Sequence, residues 1–302
     1  MNIQSPAAPR AKGPIVWLDM DQKELDDAYD QEVYAPNRDQ VVARRLANSA
    51  CARAILGEPQ RVAYGPTEIE KLDIFRTKAP NAPINIFIHG GAWRRNKAAD
   101  YAVLAEMFVR AGAHYVIPDF ITVDEADGSL FPMAEQVHRA IVWVYKTAES
   151  FGGDRNRLYI SSHSSGSQFG GVMVTTDWRK ENLPADMIKG ALLASGMYDL
   201  KPVRLSKRST YVKFTDEMER DLSAQRHIAH LHTPLLLAHG TRETPEFQRQ
   251  TRDFYATVKA AGKPAELLVG EGYNHFELLE TLANPYGLLG RAALAQMKLA
   301  VV

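Results

Sequence analysis

The chain has 302 residues, with 36 basic and 36 acidic side chains, a formal net charge of +0, and 45% hydrophobic residues. Balanced charge on ordinary globular composition excludes a global pull toward nucleic acid or anionic membranes. A lone cysteine, Cys51, excludes an internal disulfide, residues 1–13 lack the apolar run of a secretory leader, and no apolar stretch approaches the roughly 20 residues of a membrane helix, so a cytoplasmic protein is expected.

Residues 1–16 read as a loose tail. Residues 21–56 read as helical, with Asp21 able to cap and Leu25, Tyr29 and Val33 recurring at i, i+4 and i+8. Pro36 interrupts, and a second helix through Val41, Leu46 and Ile55 ends near Gly57. Residues 61–64 and 69–75 read as two strands joined by Gly65-Pro66, an antiparallel edge. Residues 84–88 are strongly β-prone and run into His89-Gly90-Gly91-Ala92-Trp93. A helix over 99–111, a strand over 115–117 and a patterned helix over 133–150 follow. The next strand, 158–161, leads into Ser162-His163-Ser164-Ser165-Gly166 and a further helix. Strands over 191–194, 234–238 and 265–269 alternate with a helix over 246–261, and a C-terminal helix finishes the chain. This alternation predicts a mostly parallel sheet with helices on both faces. Polar, helical residues 197–230 break the rhythm and read as a small cap. The expected organisation is an N-terminal tail and helical segment over 1–60, followed by one α/β domain over 61–302.

Ser162 to Gly166 is nearly the G-x-S-x-G elbow, in which a tight strand-to-helix turn holds a serine above the sheet edge. Ser162 replaces the first glycine, and only Ser164 has the right frame. Taken alone, the stretch reads equally well as a plain strand-to-helix turn. What decides is company: Ser164, Glu243 and His275 all follow predicted strands, in the order serine, acid, histidine, and ligands of open parallel sheets sit beyond the carboxyl ends of strands. Serine needs a base in reach, and the base needs an acid to fix its tautomer. His275 is the expected base and Glu243 the acid. Glu246 is its competitor, although Pro245 before it suggests a helix start. The glycine pair after the third strand can turn backbone N–H groups toward an oxyanion, with Gly91, Ala92 and Ser165 as expected donors. His89 is expected to brace that loop and His163 to pack. His138, His227, His230 and His232 show no metal-ligand spacing, and no metal or cofactor is expected.

These residues resemble the α/β-hydrolase superfamily over roughly residues 60–300. The His-Gly-Gly-Ala-Trp loop is similar to the oxyanion loop of hormone-sensitive-lipase-like esterases and, more closely, to the HGG-x-W loop of kynurenine formamidases. Residues 195–202 resemble that subgroup's SG-x-YDL-x-P segment, residues 243–250 its acid-x-PEF-x-RQ segment, and residues 25–29 its opening. Where its elbow reads G-H-S-A-G-A-H, this chain has Ser162 and Gln168 at the first and last positions, and it has Glu243 where aspartate is frequent. The resemblance implies Ser164, Glu243 and His275 as the catalytic set. It implies an aryl-formamidase-like serine hydrolase acting on a small ester or amide. Carboxylesterase and carbamate hydrolase stand as alternatives, and a catalytically silent binding protein of the same fold as the rival class. Trp93, Tyr198 and Phe276, near predicted strand ends, are expected to contact an aromatic part of the substrate. The expected partner is a small molecule, with no nucleic acid or membrane, and a homodimer is left open.

Overall fold

The computed structural model describes residues 11–301. A hairpin of β1 (Ile15–Trp17) and β2 (Met20–Asp21) precedes α1 (Gln22–Ala28), α2 (Gln31–Tyr34) and α3 (Arg38–Leu56). Then come β3 (Gln60–Ala63), β4 (Lys71–Phe75), β5 (Ala82–Ile88), α4 (Ala105–Arg110), β6 (His114–Pro118), α5 (Phe131–Thr147), β7 (Gly153–His163), α6 (Ser165–Val174) and β8 (Ile188–Ala194). The chain continues through α7 (Leu200–Leu205), α8 (Asp216–Asp221), β9 (Leu235–Gly240), α9 (Pro245–Ala260), β10 (Ala265–Gly270), α10 (His275–Glu280) and α11 (Leu288–Gln296).

The main sheet has eight strands in the order β10-β9-β8-β7-β5-β6-β4-β3. β3 and β4 pair antiparallel at one edge and β4 runs antiparallel to β6, whereas the other pairings are parallel. Every residue of β5 is buried, so its isoleucines and phenylalanine require cover on both faces. The pleat sorts them. Ile84, Ile86, Ile88, Ile74, Val116 and Ile160 pack on one side with residues of α5, α6 and α9. Phe87, Phe75, Tyr115, Ile117 and Leu192 pack on the other with residues of α4, α10 and α11. Period-two alternation thus splits the core into two layers around the sheet. This is the α/β-hydrolase fold.

Two expectations change at the N-terminal end. Of the expected tail, residues 1–10 lie outside the described residues, and Ile15–Trp17 is not loose but pairs with Met20–Asp21. Residues 21–56 form three helices, not two. Asp21 caps α1 through a reciprocal capping box with Glu24, and Asp30 then starts a new helix by accepting from the Glu32 amide at 3.0 Å.

Candidate active site

Strand register assembles the site. Ile88 pairs with Ser162, His163 with Ala194, Ala194 with Ala238, and Gly240 with Gly270. Five parallel strands therefore end level, and the residues that follow them stand side by side at the carboxyl edge of the sheet.

Ser164 sits between β7 and α6 at φ 59°, ψ −128°. A side chain held at positive φ costs on the order of 1–3 kcal/mol, strain that clusters at functional sites. Gly166 must be glycine for this turn to close, because a Cβ there would run into the carbonyl oxygens of Ile88 and His89. Ser162 is accommodated: its hydroxyl meets the Ser167 hydroxyl at 2.9 Å, and Gly170 leaves room beside it, since a Cβ there would come within 2.8 Å of the Ser162 Oγ. Gln168 has become a brace. It accepts from the Trp93 indole N–H at 3.3 Å and donates to the Leu222 carbonyl at 3.0 Å.

The Ser164 hydroxyl lies 2.8 Å from His275 Nε2, and His275 Nδ1 lies 2.9 Å from Glu243 Oε2. Glu243 is fixed in turn. Its Oε1 accepts from the Ser195 hydroxyl at 2.6 Å and the Gly240 amide at 2.7 Å, and Gln31 donates to Oε2 at 3.4 Å. Glu246 is engaged elsewhere, with Arg249 at 2.6 and 2.7 Å and with the Tyr29 hydroxyl at 2.9 Å. The structure therefore brings Ser164, Glu243 and His275 together and leaves Glu246 out. His275 opens α10 under an Asn274–Glu277 capping box. Asn37 clamps that box by donating to Glu277 and accepting from the Asn274 side chain, each at 2.7 Å.

In the loop after β5, Gly91, Ala92 and Trp93 all have positive φ, of 129°, 55° and 63°. The amides of Arg94 and Arg95 donate to the Gly91 carbonyl at 3.0 and 3.2 Å. No described residue accepts from the amides of Gly91, Ala92 or Ser165. The His89 ring stacks 4.4 Å from Phe120, and its Nδ1 lies 3.0 Å from the Gly90 carbonyl. Of the three residues expected to contact substrate, only Phe276 lines the adjoining cavity, which measures about 480 Å³ and is also walled by Ser164, His275, Gly91 and Ala92. Trp93 and Tyr198 do not. Trp93 is 2% exposed and its indole serves Gln168. Tyr198 is fully buried against Phe254, with ring centroids 4.3 Å apart. Apolar rings this large beside a strand end fill the core before they reach solvent. Ser195, Gln31 and Asn37 escaped sequence reading. Only Ser195 carried a signal, its place directly after β8.

The His163 ring lies 4.4 Å from that of His275, and its Nε2–H donates to the His275 carbonyl at 2.9 Å. Burial, then the neighbouring His275 charge, holds His163 well below the usual imidazole range. Burial also depresses His89, His114 and His239. These groups bind protons less readily in the fold than in the unfolded chain, where imidazoles titrate near pH 6.5, so the unfolded chain gains more protons and stability drops as pH falls. Thermal unfolding scans are expected to show Tm steady near neutral pH and declining from about pH 6.5 to 5. A flat Tm over that range would contradict neutral burial.

Among the described residues, no group of three or more His, Cys, Asp and Glu side chains is placed to hold a metal, and no helix is long and apolar enough to cross a membrane.

A serine, histidine and glutamate in hydrogen-bond contact beyond level parallel strands, beneath a glycine loop, define an α/β-hydrolase. The BD-FAE family model matches residues 72–258, more than half of the chain, and the chain belongs to that family. It is 28% identical over 291 residues to the kynurenine formamidase of Danio rerio, covering 92% of this chain and 97% of that one. It is 26% identical to the esterase LipC of Mycobacterium tuberculosis, covering 68% of this chain and 56% of that one. Its fold matches the crystal structure of the esterase LipW from Mycobacterium marinum with a TM-score of 0.70 at 17% identity, over 89% of this chain and 90% of that one. The chain is a hydrolase.

Proposed function

We propose that the protein is a serine hydrolase that cleaves a small ester or amide with an aromatic portion through an acyl-enzyme. The observation that carries this reading is the unbroken line of bonds from the Ser164 hydroxyl through His275 to Glu243, at 2.8 and 2.9 Å. His275 Nε2 takes the Ser164 proton as Oγ attacks the carbonyl carbon. The amides of Gly91, Ala92 and Ser165, free of acceptors among the described residues, receive the oxyanion; one such donor is worth about 2.7–4 kcal/mol in subtilisin. His275 then passes its proton to the leaving alcohol or amine, and water, deprotonated by the same imidazole, releases the acid. Glu243 holds the proton on Nδ1, so that Nε2 is free to accept.

An aryl formamide is the favoured substrate. The kynurenine formamidase relative aligns over nearly the whole chain, and Phe276, Tyr29, Tyr101 and Tyr211 wall the cavity. The esterase relatives favour the second reading, a carboxylesterase or carbamate hydrolase. A catalytically silent fold fits poorly with three reactive groups all in hydrogen-bond reach. On this reading residues 197–230 form a cap over the hydrolase domain, supplying Lys207, Arg208 and Tyr211 to the cavity wall. The exposed, unpaired Cys51 supports a reducing, cytoplasmic setting. Parallel assays of N-formylkynurenine and p-nitrophenyl acetate test the substrate. Faster turnover of the formamide is expected, and hydrolysis of the ester alone would transfer the proposal to the second reading.

A further inference from the structure

The cavity beside Ser164 is walled by six cations and two carboxylates, and their pairing is uneven. Lys207 pairs with Asp30, Arg38 with Glu32 and Asp39, Arg94 with Asp124, and Arg95 with Glu32. Both wall carboxylates, Asp30 and Glu32, are thereby engaged. Two cations are left: Arg208 and Arg45 have no carboxylate within ion-pair distance among the described residues.

Arg208 is 6% exposed. Its guanidinium lies 5.3 Å from the Trp93 ring and 5.9 Å from that of Phe247. It donates to the Tyr211 hydroxyl at 2.8 Å and the Tyr29 carbonyl at 3.1 Å, and its buried Nε–H has no partner among the described residues. A guanidinium carries five N–H donors, so spare ones remain. Arg45 lies 4.4 Å over the Tyr101 ring, and its buried Nε–H is also without a partner among the described residues. A charge removed from water is ordinarily paired. Two guanidinium groups without a carboxylate partner among the described residues, each with an idle donor, thus lie on the wall of one cavity. Aromatic faces lie within 6 Å of both guanidinium groups, and planar forks suit a carboxylate.

Resting on the serine-hydrolase reading, we infer that Arg208 and Arg45 bind a carboxylate of the substrate, so that the enzyme acts preferentially on esters or amides that carry a negative charge away from the scissile bond. The carboxylate can belong to the acyl part or to the leaving group, and two substrate pairs separate these cases. 4-Nitrophenyl hemisuccinate against 4-nitrophenyl pentanoate places the charge on the acyl part. 3-Acetoxybenzoate against 3-acetoxybenzamide places it on the leaving group. In at least one pair the charged member is expected to have a kcat/KM about ten- to hundredfold higher. Arg208→Gln and Arg45→Gln are each expected to lower that ratio about tenfold, chiefly through KM of the charged member, with Arg208→Lys retaining part of it. Inhibition of the wild-type enzyme needs no variant to fold: benzoate is expected to compete at least about tenfold better than benzamide. Turnover of the neutral esters, and its loss in Ser164→Ala, tests the hydrolase reading separately. Equal rates within both pairs, equal inhibition by benzoate and benzamide, or an unchanged ratio in folded Arg208→Gln and Arg45→Gln would overturn the carboxylate site and leave that reading standing.

Discussion

Ser164→Ala is expected to lower kcat by about five to six powers of ten, leaving only what substrate binding and the oxyanion amides provide. Neighbouring serines cannot take over. Ser161 is bonded to Asn85 at 2.5 Å, Ser162 to Ser167 at 2.9 Å, and Ser167 to the Ala194 carbonyl at 2.8 Å. The Ser165 hydroxyl accepts from the Trp93 amide at 3.3 Å. Ser164 alone faces an imidazole. The fold should be indifferent to the change, because alanine keeps the Cβ of the elbow and, among the described residues, the lost hydroxyl bonds only His275. Tm is therefore expected to stay within about 3 °C of wild type. A fluorophosphonate probe should label the wild-type enzyme at one site and leave the variant unlabelled. Undiminished turnover by a folded, pure variant would remove Ser164 from the nucleophile's role.

The sheet was legible from residue 84 onward because its central strands are buried on both faces, and strongly apolar runs such as 84–88, interrupted only by Asn85, announce themselves. The Ser164–Glu243–His275 line was legible because each residue lies within five residues of a strand's carboxyl end, where local sequence and site geometry coincide. Choosing Glu243 over Glu246 drew on Pro245, which does begin α9. The supporting shell was not legible. Gln31 and Asn37 reach Glu243 and the His275 cap across more than 200 residues of chain, and no periodicity or spacing encodes such a meeting. Aromatic residues misled: proximity to a strand end does not distinguish Phe276, on the cavity wall, from Tyr198, sealed against Phe254. The N-terminal hairpin was missed because β1 and β2 have only three and two residues, too few to display an alternating pattern.

Glu243→Gln is expected to lower kcat by about four powers of ten with little change in fold, as the analogous acid-to-amide change does in a serine protease. The reason lies in the two ends of the carboxylate. Oε1 accepts from the Gly240 amide at 2.7 Å, a donor that cannot reverse its role. The glutamine oxygen must therefore stay at that end, and its NH2 group faces His275 Nδ1. An NH2 group there requires Nδ1 to be the acceptor, which moves the imidazole proton to Nε2, the atom that has to receive the Ser164 proton. Geometry survives and the tautomer is wrong. Glu246→Gln should behave in the opposite way. Glu246 is fully buried against Arg249 and Tyr29, so weakening that pair should cost stability on the order of 1–3 kcal/mol, with kcat within several-fold of wild type. Steady-state kinetics and thermal unfolding of the two variants side by side separate the roles. A large kcat loss in Glu246→Gln with Glu243→Gln near wild type would give the orienting role to Glu246 and require α9 to reposition during turnover.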